Sequence, residues 1–204
     1  MGVVLSRNFS ALCASLRLTF CFALPLFSAA VPLHAQQIAV TVDPAATQID
    51  FTLGATLHTV HGVFKLKRGQ IQWDTATGRA TGAIIIDATS GNTDNSGRDK
   101  NMHEQVLESA KFPEIVFTPS QIKGTLLKNG TSEIEVTGPI RLHGLDHDTT
   151  LKFTVQPAGG ELLEVATQFP VPWKRWGLKD PSTFLLHVAD TASVQIHAAA
   201  KINP

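Results

Sequence analysis

The feature that most constrains this chain is alternation with a period of two. In Glu133–His143, Ile134, Val136, Gly138, Ile140 and Leu142 hold one phase. Glu133, Glu135, Thr137, Pro139, Arg141 and His143 hold the other. Successive side chains point to opposite faces only in extended chain, so this pattern predicts a strand with one buried and one wet face. The same alternation recurs in Gln48–Leu53, Val60–Lys67, Gln70–Asp74, Thr150–Val155 and Ser193–His197. One-sided strands of this kind belong to antiparallel sheets. Reversal signals separate them: Asp74–Gly78, Lys128–Gly130, Gln156–Gly160 and Asp180–Pro181. Asn129–Gly130 has the chemistry of a two-residue hairpin. Short turns make sequence neighbours pair, which predicts an all-β domain of about eight strands.

One region departs from the pattern. After Ile84–Ile86, whose three isoleucines suggest a strand covered on both faces, with the helix that follows as a candidate cover, the chain turns polar over Thr89–Gly97. Residues 98–108 then read as a short helix with Met102, Val106 and Leu107 on one side. It ends before Pro113, because proline disfavours helix in the residue preceding it.

Seven to nine such strands build either a filled sandwich or a barrel with room for one small ligand. Gly62, Gly82 and Gly138 fall in the apolar phase, where a missing side chain means a bend or free space. Both readings stand on pattern alone, and on the second, Gly138→Leu would narrow the lumen. The wall of such a lumen is the apolar phase. Phe51, Leu53, Val60, Phe64, Ile71 and Trp73 supply its first part, and Ile84, Ile86 and Phe117 the next. Val136, Ile140, Leu142, Phe153 and Phe169 complete it. Such a wall suits a long apolar guest, whose charged head would stay at the mouth. Trp173 and Trp176 bracket Lys174 and Arg175, with Lys179 nearby; these are the mouth candidates.

The N-terminus carries a different pattern. Arg7 and Arg17 are its only charges before Asp43, and Leu18–Ala30 is almost wholly apolar. With Ala35 before Gln36–Gln37, this predicts a cleaved export signal over residues 1–35 and a periplasmic or secreted domain over 36–204. The run is too short to span a bilayer, which takes roughly 20 residues. Cys13 and Cys21 both lie in the signal, so the mature chain carries no disulfide, thiol nucleophile or cysteine-held zinc. Its 15 Lys and Arg face 17 Asp and Glu, which offers no footprint for nucleic acid.

Four motifs then occur in order. They are Val42–Pro44 leading to Ile49–Phe51, Thr59–Gly62 with Phe64, Arg98–Asp99 with Lys111–Phe117, and Val136–Gly144. Together they resemble the YceI-like family of bacterial lipid-binding proteins, over about Val42 to Ile196. The resemblance implies an extended lipocalin-like antiparallel barrel around a hydrophobic tunnel. It implies binding of a polyisoprenoid, fatty acid or fatty amide, and no catalysis. Leu53–Leu57 and Trp176–Pro181 depart from the family's pattern, so head-group preference does not transfer.

Two other chemistries compete. His58 and His61, His143 and His147, with His103 and His187, invite a zinc reading. His58 and His61 have opposite parity, however, and His61 and His143 face outward, with no compelling carboxylate accompanying them. Asp146 and Asp148 flank His147 in a stretch read as a solvated turn. No Gly-x-Ser-x-Gly elbow, His-Glu-x-x-His helix or phosphate loop is present. The chain therefore reads as a binding protein without catalytic residues, cofactor or assigned metal. A structural β-domain with a filled core is the alternative. Brief membrane contact for ligand exchange, and a homodimer formed through an open barrel edge, are further expectations.

Overall fold

The computed structural model describes residues 37–56, 58–182 and 187–203. The segment read as an export signal, 1–35 with both cysteines, lies outside them. The strands are β1 (Gln37–Gly54), β2 (Thr59–Asp74), β3 (Ala80–Asn92), β4 (Glu114–Phe117), β5 (Gln121–Lys123), β6 (Ser132–Leu142), β7 (Leu145–Gly159), β8 (Leu162–Val171) and β9 (Ala192–Asn203). Every pairing is antiparallel, in the order β4-β3-β2-β1-β9-β8-β7-β6-β5, and β4 also pairs with β6. That last pairing closes the sheet on itself. β4 meets Ile140 and Arg141 while β5 meets Glu135–Thr137, so the two short strands form one interrupted stave. The barrel therefore has eight staves. Its closed edge removes the open-edge argument for a homodimer.

The alternation does the positioning. Along β6, Ser132, Ile134, Val136, Gly138, Ile140 and Leu142 are all buried, and none of the opposite phase is. Two strands are longer than their patterns suggest, because each changes phase at a bulge. β1 shifts register between Val42 and Ile49, where the Asp43 carboxylate accepts from the Ala45 N–H and Thr47 Oγ1 donates to the Asp43 carbonyl. Pro44, which has no N–H to give a ladder, sits in this bulge. β2 keeps Leu66 and Gly69 both buried with Lys67 and Arg68 outside. The two segments Val60–Lys67 and Gln70–Asp74 are thus one strand.

The turns correct two expectations. Lys128–Gly130 is not a two-residue hairpin, since 124–131 forms a wide loop between β5 and β6. The tight hairpin is His143–Gly144, joining Leu142 to its partner Leu145, with φ of 53° and 80°. Positive φ at both central residues is the type I′ signature.

The helix also differs. α1 spans Ser96–Asn101, capped by the Asn95 side chain accepting from the Arg98 N–H, and continues as a π-helical turn over Met102–Val106. It begins two residues earlier than read because Asn95 is the cap. Ile85 is buried opposite Ile84 and Ile86, but Met102, Val106 and Leu107 share the inner side with the latter two. The helix stands at the end of the barrel.

Gly62 and Gly138 are buried but are close-approach points, not empty space, and Gly82 is exposed, not inward. A Cβ on Gly138 would lie 2.1 Å from the Thr118 carbonyl oxygen, and one on Gly82 2.2 Å from that of Gln70. A Cβ on Gly62 would meet the Phe51 ring at 2.4 Å. Gly138→Leu would therefore break the seam between β6 and the Thr118–Pro119 corner instead of narrowing a lumen.

Candidate functional site

Despite those contacts, the interior is not filled. A cavity of about 600 Å³ lies inside the staves. The register defines two barrel ends. At one, Gln37 pairs with Asp74, Ala39 with Asn203, and Gly159 with Leu162. Its connections are 75–79, 124–131 and 160–161. This is the turn end. The other carries the long connections 93–113 and 172–191, and is the helix end. Ile38 and Trp73 line the cavity near the turn end, and Leu142, Val171 and Trp176 near the helix end. The cavity thus follows the barrel axis, and a strand of 11 residues such as β6 extends roughly 36 Å.

All fourteen wall candidates stand on this cavity: Phe51, Leu53, Val60, Phe64, Ile71, Trp73, Ile84, Ile86, Phe117, Val136, Ile140, Leu142, Phe153 and Phe169. Phe51 and Phe64 meet in a tilted ring pair, with centroids 5.3 Å apart. The wall is larger than the reading. Ile38, Val40 and Val42 join from the first half of β1, and Leu66, Ile134, Leu151, Val155 and Leu163 from other strands. The parity rule already placed Ile134 and Leu151 inside. Ala198 and Ala200 also line it, where His197-Ala-Ala-Ala200 offers no contrast to read.

The mouth candidates divide. Trp173 and Trp176 line the cavity at the helix end. Trp173 is 6% exposed, and its Nε1 donates to the Ala189 carbonyl at 3.0 Å. Trp176 stacks on His147, with centroids 4.3 Å apart and planes within 3°. Lys174, Arg175 and Lys179 are not on the wall. Lys174 Nζ binds Asp180 at 2.7 Å, Asp190 at 2.5 Å and the Val188 carbonyl at 3.3 Å, clasping the 172–182 loop to the chain before β9. These bonds hold Asp180 down at about 2 and raise Lys174. Lys179 donates to Gln105 at 2.6 Å, and Arg175 is exposed.

The charged group on the wall is one the reading passed over. Arg98 is the single ionised side chain among the described lining residues; Thr93, Asn101, His58 and His187 supply polar atoms beside it at the helix end. The sequence pattern assigns Arg98 to a motif and a helix. Nothing in a linear pattern shows that a polar residue after a strand turns back to the lumen.

The histidines scatter. His61 Nδ1 lies 3.4 Å from Thr52 Oγ1, and His103 bridges Ser109 Oγ and the Gly91 carbonyl. His143 does have a carboxylate, pairing with Glu108, because the I′ turn swings it toward the 102–112 segment. His147 is not a solvated turn residue: it lies in β7, its Nε2 buried without a partner beneath Trp176. Asp146, meanwhile, accepts from Nε and Nη2 of Arg141, one on each carboxylate oxygen, which lowers its carboxyl from the ordinary range.

Comparison with known proteins matches this architecture. The family profile described as YceI-like domain covers residues 40–200. UPF0312 proteins of Pseudomonas putida strain W619 and Pseudomonas fluorescens strain SBW25 are each 29% identical over 130 residues, 60% of this chain. The chain spans about 65% of the length of these curated relatives. Burkholderia cenocepacia BcnA superposes with a TM-score of 0.64 at 18% identity, covering 78% of this chain and 98% of its own. A polyisoprenoid binding domain from Saccharophagus degradans does so with 0.60 at 16% identity, covering 79% and 97%. At these identities the likeness speaks to the fold.

Proposed function

The chain belongs to the YceI-like domain family, and from that premise we propose that its barrel binds and carries one long-chain apolar molecule, such as a polyisoprenoid, a fatty acid or a fatty amide, without converting it. The observation that carries this reading is the cavity of about 600 Å³, walled almost wholly by apolar side chains from every stave. Burial gives about 0.8 kcal/mol per methylene, so ten buried methylenes contribute about 8 kcal/mol before ordering costs. The solved polyisoprenoid binding domain of the same fold supports the choice of guest. A filled-core structural domain is a poorer fit to so large a cavity.

The test is organic extraction of the purified protein followed by mass spectrometry. A long-chain molecule in near-stoichiometric amount is expected. Empty extracts, together with no binding of a fluorescent fatty probe, would overturn the reading. The same proposal places the working domain, 36–204, outside the cytoplasm after removal of 1–35, with brief membrane contact during exchange. Sequencing the N-terminus of protein recovered from the extracytoplasmic fraction should begin at or beside Gln36.

A further inference from the structure

We infer that the guest's polar end is an oxyanion, a carboxylate or a phosphate, seated against Arg98 at the helix end of the cavity. This rests on the carrier reading above and deepens it. Arg98 is half-buried and built in place: Nε donates to Thr93 Oγ1 at 2.8 Å, and Nη2 donates to the Thr93 carbonyl at 2.7 Å. Thr93 is itself buried and anchored, its N–H donating to Asp99 Oδ1 at 3.0 Å and its hydroxyl to the same oxygen. That oxygen of Asp99 is therefore spent on Thr93, and Asp99 forms no ion pair with Arg98. Arg98 Nη1 has no acceptor among the described residues.

An ionised group turned toward an apolar cavity with a donor unspent is costly unless something answers it. The planar guanidinium answers best to an oxyanion, whose two oxygens match its fork. Asn101, also on the wall, adds an amide next to it. No carboxylate stands among the described lining residues to compete. Of the lysines near this end, Lys174 is committed to Asp180 and Asp190 and Lys179 to Gln105, while Lys100 is exposed and does not line the cavity. A neutral head, such as an ester or alcohol, would leave the charge unanswered.

The experiment is displacement of a fluorescent fatty probe from the full-length mature protein by four ligands of one chain length: hexadecanoate, its methyl ester, hexadecanol and hexadecyl phosphate. At least one of the two anions should bind about tenfold tighter than the ester, and the tighter one names the head group. Arg98→Gln should abolish that preference by weakening the anion while leaving ester binding unchanged, and Arg98→Lys should restore part of it. Equal binding of anion and ester by the wild-type protein would overturn this inference alone. So would an Arg98→Gln variant that folds normally and loses both ligands alike, which marks a merely structural arginine. If Arg98→Gln does not fold, the wild-type comparison and Arg98→Lys still decide. Failure of all four ligands to bind would overturn the carrier reading and this inference with it.

Discussion

The two ends of the barrel are built differently. At the turn end 75–79 and 160–161 are short and 124–131 is a wider loop, and Trp73, Ile122, Leu126 and Leu163 close the barrel there as part of an apolar cluster that runs on to Trp173 and Leu178. At the helix end the tight 143–144 hairpin stands beside the long connections 93–113 and 172–191. A capped helix with a π turn meets a loop clasped by Lys174, and polar side chains reach the cavity there. The turn end is a plug made by the same alternation that makes the wall. The helix end is a cover made of separate segments, joined by polar bonds such as Lys179 to Gln105 and by the buried side chains of Trp173 and Leu178. Long connections on a rigid frame are where binding specificity is ordinarily carried.

The sharpest way to break this contrast is to truncate one tryptophan at each end. Trp73→Ala should cost about 3–5 kcal/mol in chemical denaturation, as expected of a filled plug. Equal losses from Trp73→Ala and Trp176→Ala would remove the distinction. Gly138→Ala lies between the ends and should cost about 3 kcal/mol, because Thr118 and Pro119 are backbone that cannot step aside. Fatty-probe affinity measured on its folded fraction should fall, since the seam serves both ends. Trp176→Ala should cost only about 1–2 kcal/mol, the worth of a half-buried ring and its stack on His147. It should nevertheless speed probe release, read by stopped-flow fluorescence.

The smallest effects belong to the clasp. Lys174→Met should leave the denaturation midpoint nearly unchanged, since its ion pairs are solvent-screened. Hydrogen exchange at the Trp173 indole should quicken. The folded Asp180 carboxyl lies near 2, below its ordinary 3.8. Its stabilising share is therefore complete above about pH 4 and lost as the pH falls through about 2. Lys174 is raised above its ordinary 10.5, so its share is complete below that value and lost as the pH climbs through the raised one. The NMR shift of the Trp173 indole N–H, which donates to Ala189 next to the clasp, should accordingly hold level from about pH 5 to pH 9 and change first on the acid side. A transition near neutrality would show that another group holds the cover.

The contrast between the ends also marks what was readable in the sequence. A wall built by parity is legible wherever the two phases differ in polarity, which is why Phe51, Val136 and Phe153 are all where alternation puts them. It is illegible where a bulge changes the phase, as at Asp43–Ala46 and Lys67–Arg68, or where both phases are small, as at Ala198–Ala200. The glycines misled for a related reason. An absent side chain looks the same in sequence whether it faces a cavity or a backbone carbonyl. The cover has no period, so its parts were visible only as motifs. Lys174 as a clasp, Arg98 on the wall and His147 beneath Trp176 all depend on contacts between segments that sequence spacing does not relate.

The insertion of β9 between β1 and β8 has a consequence for the order of assembly. Val42 pairs with Ala200, and Thr52 with Ser193, so the first stave waits for the last. Until β9 arrives, β1 and β8 are two unpaired edges flanking an open trough, and such edges template misassociation. Contacts so distant in the chain close slowly. A guest has no enclosed compartment to enter until the C-terminal strand is seated. The nascent chain is therefore unable to load early, and fragments ending before Ala192 should aggregate instead of binding.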